Sequence, residues 1–140
     1  MFPSPSQEIA QYCRDNILLL PDGLHGFAAA RAVMVNGASG VFHKLIRDDM
    51  RGIEFFTNAP CLAYVVQGRE RFHDPEGAET VVTAGDMLLM PRHMHMVSDF
   101  RNADGPLEAW LFFFNDAVVA EYLQATSPRA VAAAPRSRTA

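Results

Sequence analysis

A succession of short apolar segments, each ended by a turn sequence, constrains the fold of this chain more than any other feature. Turn sequences such as NG at 36–37, QG at 67–68 and DPEG at 74–77 separate the segments. The pattern predicts strands near residues 28–35, 41–47, 53–57, 61–66, 69–73, 79–83, 87–90, 94–99 and 107–114. Many short strands with regular turns predict an all-β sandwich or closed barrel.

The two ends of the chain follow other patterns. After residue 115 the apolar side chains Val118, Val119, Tyr122 and Leu123 recur at helical spacing, which predicts a helix over 116–124 packed on the outside of the barrel. The predicted organisation is an N-terminal arm over residues 1–15, a barrel plus helix over 16–124 and a flexible tail or linker over 125–140. Within the barrel region, ILLL at 17–20 predicts one further short strand.

Charge and cysteine usage exclude several classes of protein. The net charge of −4 gives the chain no overall attraction to a phosphate backbone, so this segment is not expected to bind nucleic acid directly. No apolar run approaches the ~18 residues of a membrane-spanning helix, so no membrane partner is expected. Cys13 and Cys61 lack CxxC spacing, which favours a reduced, cytoplasmic protein.

The stretch 61–99 carries the most informative motif. YVVQG at 64–68 ends a strand in a glycine turn, and Gly85, Asp86, Pro91 and His95 follow at fixed spacing. Gly85 suits the turn backbone, Asp86 can accept hydrogen bonds from turn amides, and Pro91 stops the strand. On these residues the chain resembles the cupins over roughly residues 28–124. The resemblance implies a double-stranded β-helix, or jelly-roll barrel, with a C-terminal helix.

Cupins that bind a metal supply ligands from both motifs. The resemblance places the ligands of the first motif at Phe55, Thr57 and Cys61, none of which offers an imidazole or carboxylate. The barrel is therefore predicted to be free of metal and of any other cofactor. His93 and His95 form an HxH pair that would point the same way on a strand, and we expect an effector contact or a structural role for them.

A more specific resemblance follows from AGDMLLMP at 84–91 and LEAWLFFF at 107–114. Together with the predicted helix, they are similar to the N-terminal sensing domains of AraC-type transcription regulators, including the subset that controls type III secretion. The resemblance implies a small-molecule effector or a regulatory protein as partner, without choosing between them, and a possible homodimer. The family continues into two helix-turn-helix units, which nothing after Tyr122 could supply, so DNA binding is not expected of this segment.

The resemblance also nominates ligand-binding residues. In the arabinose regulator a tryptophan at the place of Trp110 stacks on the sugar, which implies a site formed by Trp110, Phe112 and His95 and no catalytic residue. Because strands alternate, Trp110 shares a face with Glu108, Phe112 and Phe114, and this face is predicted to be the barrel interior. If Trp110 lies outside, its role in an interior effector site fails.

Two other functions remain open from the sequence. One is a stand-alone cupin enzyme with an atypical metal site drawn from His73, His93 and His95, and the other is a barrel that serves only for dimerisation. Among the remaining polar residues, an exposed surface is predicted for His43 and Lys44 and for the hairpin RERFH at 69–73. Cys61 is predicted to be a buried, inert thiol.

Overall fold

The computed structural model describes residues 4–36 and 39–115, together with Ala117, Ala120, Glu121 and Gln124. One helix, α1 (Pro5–Tyr12), precedes ten strands: β1 (Leu18–Leu20), β2 (Ala30–Asn36), β3 (Ser39–Ile46), β4 (Met50–Thr57), β5 (Cys61–Gln67), β6 (Arg69–His73), β7 (Glu79–Thr83), β8 (Met87–Met90), β9 (His95–Phe100) and β10 (Leu107–Phe113). Short 3₁₀ turns cover Asp22–Leu24 and Asn102–Asp104. The described part of the chain is therefore mostly β-structure, as its pattern of strands and turns predicts.

The strands form two five-stranded sheets that enclose the core. The first sheet has the order β1-β4-β9-β6-β7, and the second has the order β2-β3-β10-β5-β8. All pairings are antiparallel except that of β1 with β4. Neighbouring strands in each sheet are mostly distant in sequence, which is how a jelly roll differs from a simple meander.

The N-terminal segment packs on the barrel. Ser4 caps α1, where its side chain accepts a hydrogen bond from the amide of Gln7 and Pro5 occupies the first turn. Ser4 also donates a hydrogen bond to the carboxylate of Asp48. Ile9 of α1 is only 3% exposed, and Leu18, Leu20 and Leu24 are buried in the same cluster. Part of the segment predicted as an arm thus contributes to the core.

The predicted C-terminal helix is described only in part. Ala117, Ala120, Glu121 and Gln124 are helical and exposed, at the spacing of one helix face. The other positions of the helix predicted over 116–124, and the whole predicted tail over 125–140, lie outside the described residues. Within the described ranges, no helix is both long enough and apolar enough to cross a membrane.

Candidate functional site

The turn before β8 has the geometry that its Gly-Asp sequence predicts. Gly85 has φ +92°, a left-handed conformation that favours glycine. The Asp86 carboxylate accepts hydrogen bonds from the Thr83 amide at 2.8 Å and the Thr83 hydroxyl at 3.1 Å. The prediction that Asp86 holds turn groups is confirmed, and β8 ends at Met90, directly before Pro91.

The glycine that ends the first motif is required by a close approach. Gly68 has φ +90°, and a Cβ atom there would lie 2.6 Å from the Pro106 carbonyl oxygen. Since real Cβ atoms do not approach that closely, a larger residue would push the strand end of β5 away from β10. Both motifs therefore position strands of the barrel.

The three positions matching metal ligands point into the barrel but serve its structure. Phe55 is buried and packs edge-to-face on Phe72. The fully buried Thr57 hydroxyl donates to the Pro91 carbonyl and accepts from the Met94 amide, both at 2.8 Å. Burial raises the pKa of the Cys61 thiol to about 12, so this thiol stays neutral at physiological pH.

The histidines of the second motif do not lie on one strand. His93 lies in the turn before β9 with φ +67°, so the condition under which it would point the same way as His95 is not met. Its ring stacks on Phe56. His95 opens β9 and bonds to Glu54 at 2.6 Å. In the described ranges no three His, Cys, Asp or Glu side chains are grouped closely enough to hold a metal ion.

The prediction for the two faces of β10 is also wrong. Leu107, Ala109, Leu111 and Phe113 are at most 5% exposed and face the core, while Glu108, Trp110 and Phe112 alternate with them and are half-buried on the outside. The physical reason is the strand register: Leu111 pairs with the buried Phe42 and Ala63, so its set faces the core, whereas Trp110 pairs with His43 and Tyr64 on the outside. Trp110 and Phe112 therefore do not line the barrel interior.

Trp110 and Phe112 instead lie at the centre of an outward surface of the second sheet. Their cross-strand partners are His43 and Tyr64 for Trp110, and Val41 and Leu62 for Phe112. We call this surface the apolar outer face; it comprises Met34, Val41, Leu62, Tyr64, Met87, Leu89, Trp110 and Phe112. At its margin, His43 bonds to the Glu108 carboxylate at 2.8 Å, and the His43 ring lies 4.7 Å from the Trp110 ring.

The first sheet has an outer face of different character. We call it the charged outer face, after its charged or ionisable side chains Glu54, Arg71, His73, Glu79, His95 and Asp99; the apolar side chains Leu19, Phe56, Val81 and Val97 lie among them. Arg71 and Glu79 form an ion pair at 2.5 Å, and two histidines of this face bond to carboxylates: His73 to Asp99 at 2.8 Å and His95 to Glu54. His95 belongs to this face, so the structure does not bring it together with Trp110 and Phe112.

The interior contains one ion pair that sequence reasoning missed. The Lys44 ammonium lies 3.0 Å and 3.3 Å from the two carboxylate oxygens of Glu70, and their side chains are 16% and 6% exposed. The prediction of an exposed surface for both residues is wrong because β3 is not an edge strand and Glu70 faces inward from β6. Strand alternation carried the signal, since Lys44 shares a face with the buried Phe42 and Ile46, and Glu70 with the buried Phe72.

Comparison with known proteins identifies the fold. The chain is similar to an RmlC-like cupin from Methanocaldococcus jannaschii, with 11% identity and a TM-score of 0.55, covering 66% of this chain and 84% of that one. A cupin superfamily protein from Desulfitobacterium hafniense gives 14% identity and a TM-score of 0.54, covering 62% and 76%. A cupin 2 conserved barrel protein from Salinispora arenicola gives 16% identity and a TM-score of 0.52, covering 69% and 83%. The predicted cupin-like barrel is therefore confirmed.

Comparison at the level of sequence identifies the family. No curated protein matches the chain. The family model of the ExsA N-terminal regulatory domain matches residues 60–139, more than half of the chain, and this range includes both motif glycines and β10. The resemblance to the N-terminal domains of AraC-type regulators is thereby confirmed, and the chain belongs to the family of ExsA N-terminal regulatory domains.

Proposed function

We propose that this regulatory domain responds to a regulatory protein that binds its apolar outer face, with Trp110 and Phe112 at the centre of the contact. The observation that carries the proposal is the face itself, in which five neighbouring strands present apolar side chains outward. Met34 and Met87, on its two edge strands, are 65% and 56% exposed. Contiguous apolar patches of this kind mark protein interaction sites, and methionine suits adaptable ones.

The residue types of this face favour a protein over a small effector. One continuous cross-strand row crosses this face and its margin, and it comprises Arg31, His43, Trp110, Tyr64 and Met87. Tryptophan, tyrosine and arginine supply most of the binding energy in protein interfaces. We infer a partner that presents an apolar surface to Trp110 and Phe112 and a carboxylate to Arg31.

The size of the interior supports the same choice. The barrel contains a partly open cavity of about 60 Å³. Sites for drug-sized ligands occupy roughly 300–1,000 Å³. A sugar-sized effector therefore does not fit the interior, and the role assigned to Trp110 moves from a cavity to a surface.

The setting that we propose is the cytoplasm, because both cysteines are free thiols and a reducing compartment keeps them so. The net charge of −4 supports a regulator in which this domain binds protein and another part contacts DNA.

The test takes the proteins encoded beside this gene as candidate partners and measures their binding to the purified chain by calorimetry. We expect one of them to bind with a micromolar or lower dissociation constant, and Trp110→Ala to weaken that binding at least tenfold. Val81→Ala, on an exposed position of the first sheet, is the control and should leave the affinity unchanged. Because Trp110 is the single tryptophan, its emission should shift on binding.

Three results would contradict the proposal. The first is that no candidate binds, and the second is that binding is insensitive to Trp110→Ala. The third is that another occupant covers the face. Sedimentation equilibrium detects a second copy of the chain. Deletion of residues 116–140 tests whether the chain's own C-terminal segment covers the face, because a partner would then bind only to the shortened chain.

A further inference from the structure

The Lys44–Glu70 ion pair joins the two sheets through the interior of the barrel. Lys44 faces inward from β3 of the second sheet, and Glu70 faces inward from β6 of the first. Both side chains line the internal cavity, together with Ser98 and Cys61. This polar corner of the cavity is surrounded by apolar walls. The pair is the one charged feature among the described residues of the core.

The cavity beside the pair exists because small residues flank Lys44. Its two cross-strand neighbours are Ala30 on β2 and Ala109 on β10, both of which are buried. Ala63 on β5 adds a third small side chain to the same wall. Larger residues at these positions would fill the space next to the ammonium, so the empty volume follows from the sequence.

Stability alone does not explain a charged pair in this place. Apolar residues of similar volume usually stabilise a core as well as a buried ion pair does, because both charges must be removed from water. An ammonium group also has three N–H donors, and Glu70 is the sole acceptor for Lys44 among the described residues. The carboxylate retains further lone pairs, so the corner offers both a donor and an acceptor to a third group.

Charge balance decides what that third group is. The pair is neutral as a whole, so an anion or a cation would place a net charge in a low-dielectric interior, at a high cost. A neutral group that both accepts and donates, such as a hydroxyl or a primary amide, can accept from Lys44 and donate to Glu70. We propose that this cavity binds a small neutral alcohol or amide whose polar group bridges Lys44 and Glu70 and whose apolar body contacts the surrounding walls.

The volume sets the size of the ligand. One water-sized group needs roughly 10–15 Å³ on this measure, so about 60 Å³ accommodates about four non-hydrogen atoms. Propanol has this size, and a ligand so small binds with a dissociation constant on the order of millimolar. This site is separate from the apolar outer face and does not depend on a partner there.

The experiment is an NMR titration of the isotope-labelled 140-residue chain with 1-propanol. We expect saturable shifts at the backbone amides of residues that line the cavity. Propionate and propylammonium have the same number of non-hydrogen atoms to within one but carry a charge, and we expect them to bind at least tenfold more weakly. Equal binding of either ion would overturn the assignment to neutral ligands.

Two variants locate the site. Ala109→Val leaves the ion pair intact but fills the cavity, so the propanol shifts should disappear; Ala32→Val, at an exposed position of β2, is the matched control and should retain them. Lys44→Met combined with Glu70→Gln should weaken binding at least tenfold, and if this double variant does not fold, Ala109→Val decides. Absence of saturable shifts in the unmodified chain, or their persistence in Ala109→Val, would overturn the proposal and indicate that the cavity holds water only.

Discussion

The outer faces of the two sheets differ in chemistry although both sheets cover the same core. The charged outer face pairs His95 with Glu54, His73 with Asp99 and Arg71 with Glu79 across neighbouring strands. The apolar outer face has Trp110 and Phe112 at its centre, and His43 bonds to Glu108 at its margin. Exposed ion pairs contribute little stability but are well solvated, whereas exposed apolar surface is not. The two sides of the barrel therefore differ, with charged side chains prominent on one and apolar side chains on the other.

The largest loss of stability is expected from breaking the ion pair inside the barrel, and a much smaller loss from breaking an ion pair on the charged outer face. Glu70→Ala would leave the Lys44 ammonium buried without its counter-charge, at a cost of about 3–5 kcal/mol in the free energy of unfolding. Glu79→Ala breaks the exposed pair with Arg71 and should cost less than about 1 kcal/mol. Urea denaturation of both variants checks the difference. Similar costs would mean that the interior pair is as well solvated as the exterior one.

The next effect separates the two sides of β10 by matched substitutions. Phe113 is 1% exposed and faces the core, so Phe113→Ala should cost about 3–5 kcal/mol. Phe112 is half-buried on the apolar outer face, and the loss of its smaller buried area should cost roughly 1–2 kcal/mol. Chemical denaturation gives both values. A larger cost for Phe112→Ala would show that something else in the chain covers the apolar outer face.

The sequence is most informative where local turn chemistry ends a strand. The predicted bounds of β6 and β7 in the first sheet and of β8 in the second match the structure. The Gly-Asp turn could be predicted as well, because a left-handed glycine and an aspartate that accepts hydrogen bonds from the turn are local requirements. Local turn chemistry and the succession of short strands were sufficient for the fold.

The residues of the candidate sites could not be predicted from local sequence in the same way. In LEAWLFFF both sets of alternating residues are mostly apolar, so the aromatic side chains do not say which set faces the core. Glu108, which belongs to the set of Trp110, is the one local sign that this set faces outward. The inward set is identified by its cross-strand partners, such as Ala109 beside Lys44, a pairing between residues 65 positions apart. For Lys44 and Glu70, charge suggested an exposed surface, although alternation with Phe42 and Phe72 indicated burial.

A smaller, pH-dependent effect is expected on the charged outer face. Burial raises the pKa of Asp99, but the Gly52 amide at 2.7 Å and the His73 ring at 2.8 Å lower it, and the net result is a pKa below the usual 3.8. The folded state therefore binds this proton less tightly than the unfolded state. The stabilisation is present above pH 3.8 and is lost as the pH falls through the lower pKa of the folded protein.

Asp99→Asn tests this dependence. The variant should show a shallower loss of stability below about pH 4 than the unmodified chain, because one group that gains a proton on acid unfolding is gone. Urea denaturation over a series of acidic pH values measures the slope. Glu76→Gln, in the exposed turn before β7, is the control. Equal slopes for Asp99→Asn and the unmodified chain would show that Asp99 does not contribute to acid sensitivity.

The smallest effect on stability, and the most direct test of the two faces, comes from adding one charge to each. Met34→Lys lies on the apolar outer face and Val81→Lys on the outer side of the first sheet, where the two native side chains are 65% and 39% exposed. Because neither side chain is buried, each substitution should change the free energy of unfolding by at most about 0.5 kcal/mol. Their surface properties should differ, since only Met34→Lys interrupts a continuous apolar patch. We expect Met34→Lys to shorten retention on a hydrophobic-interaction column and Val81→Lys to leave it nearly unchanged. Equal reductions in retention would mean that the apolar outer face is no more accessible to the column than the charged outer face.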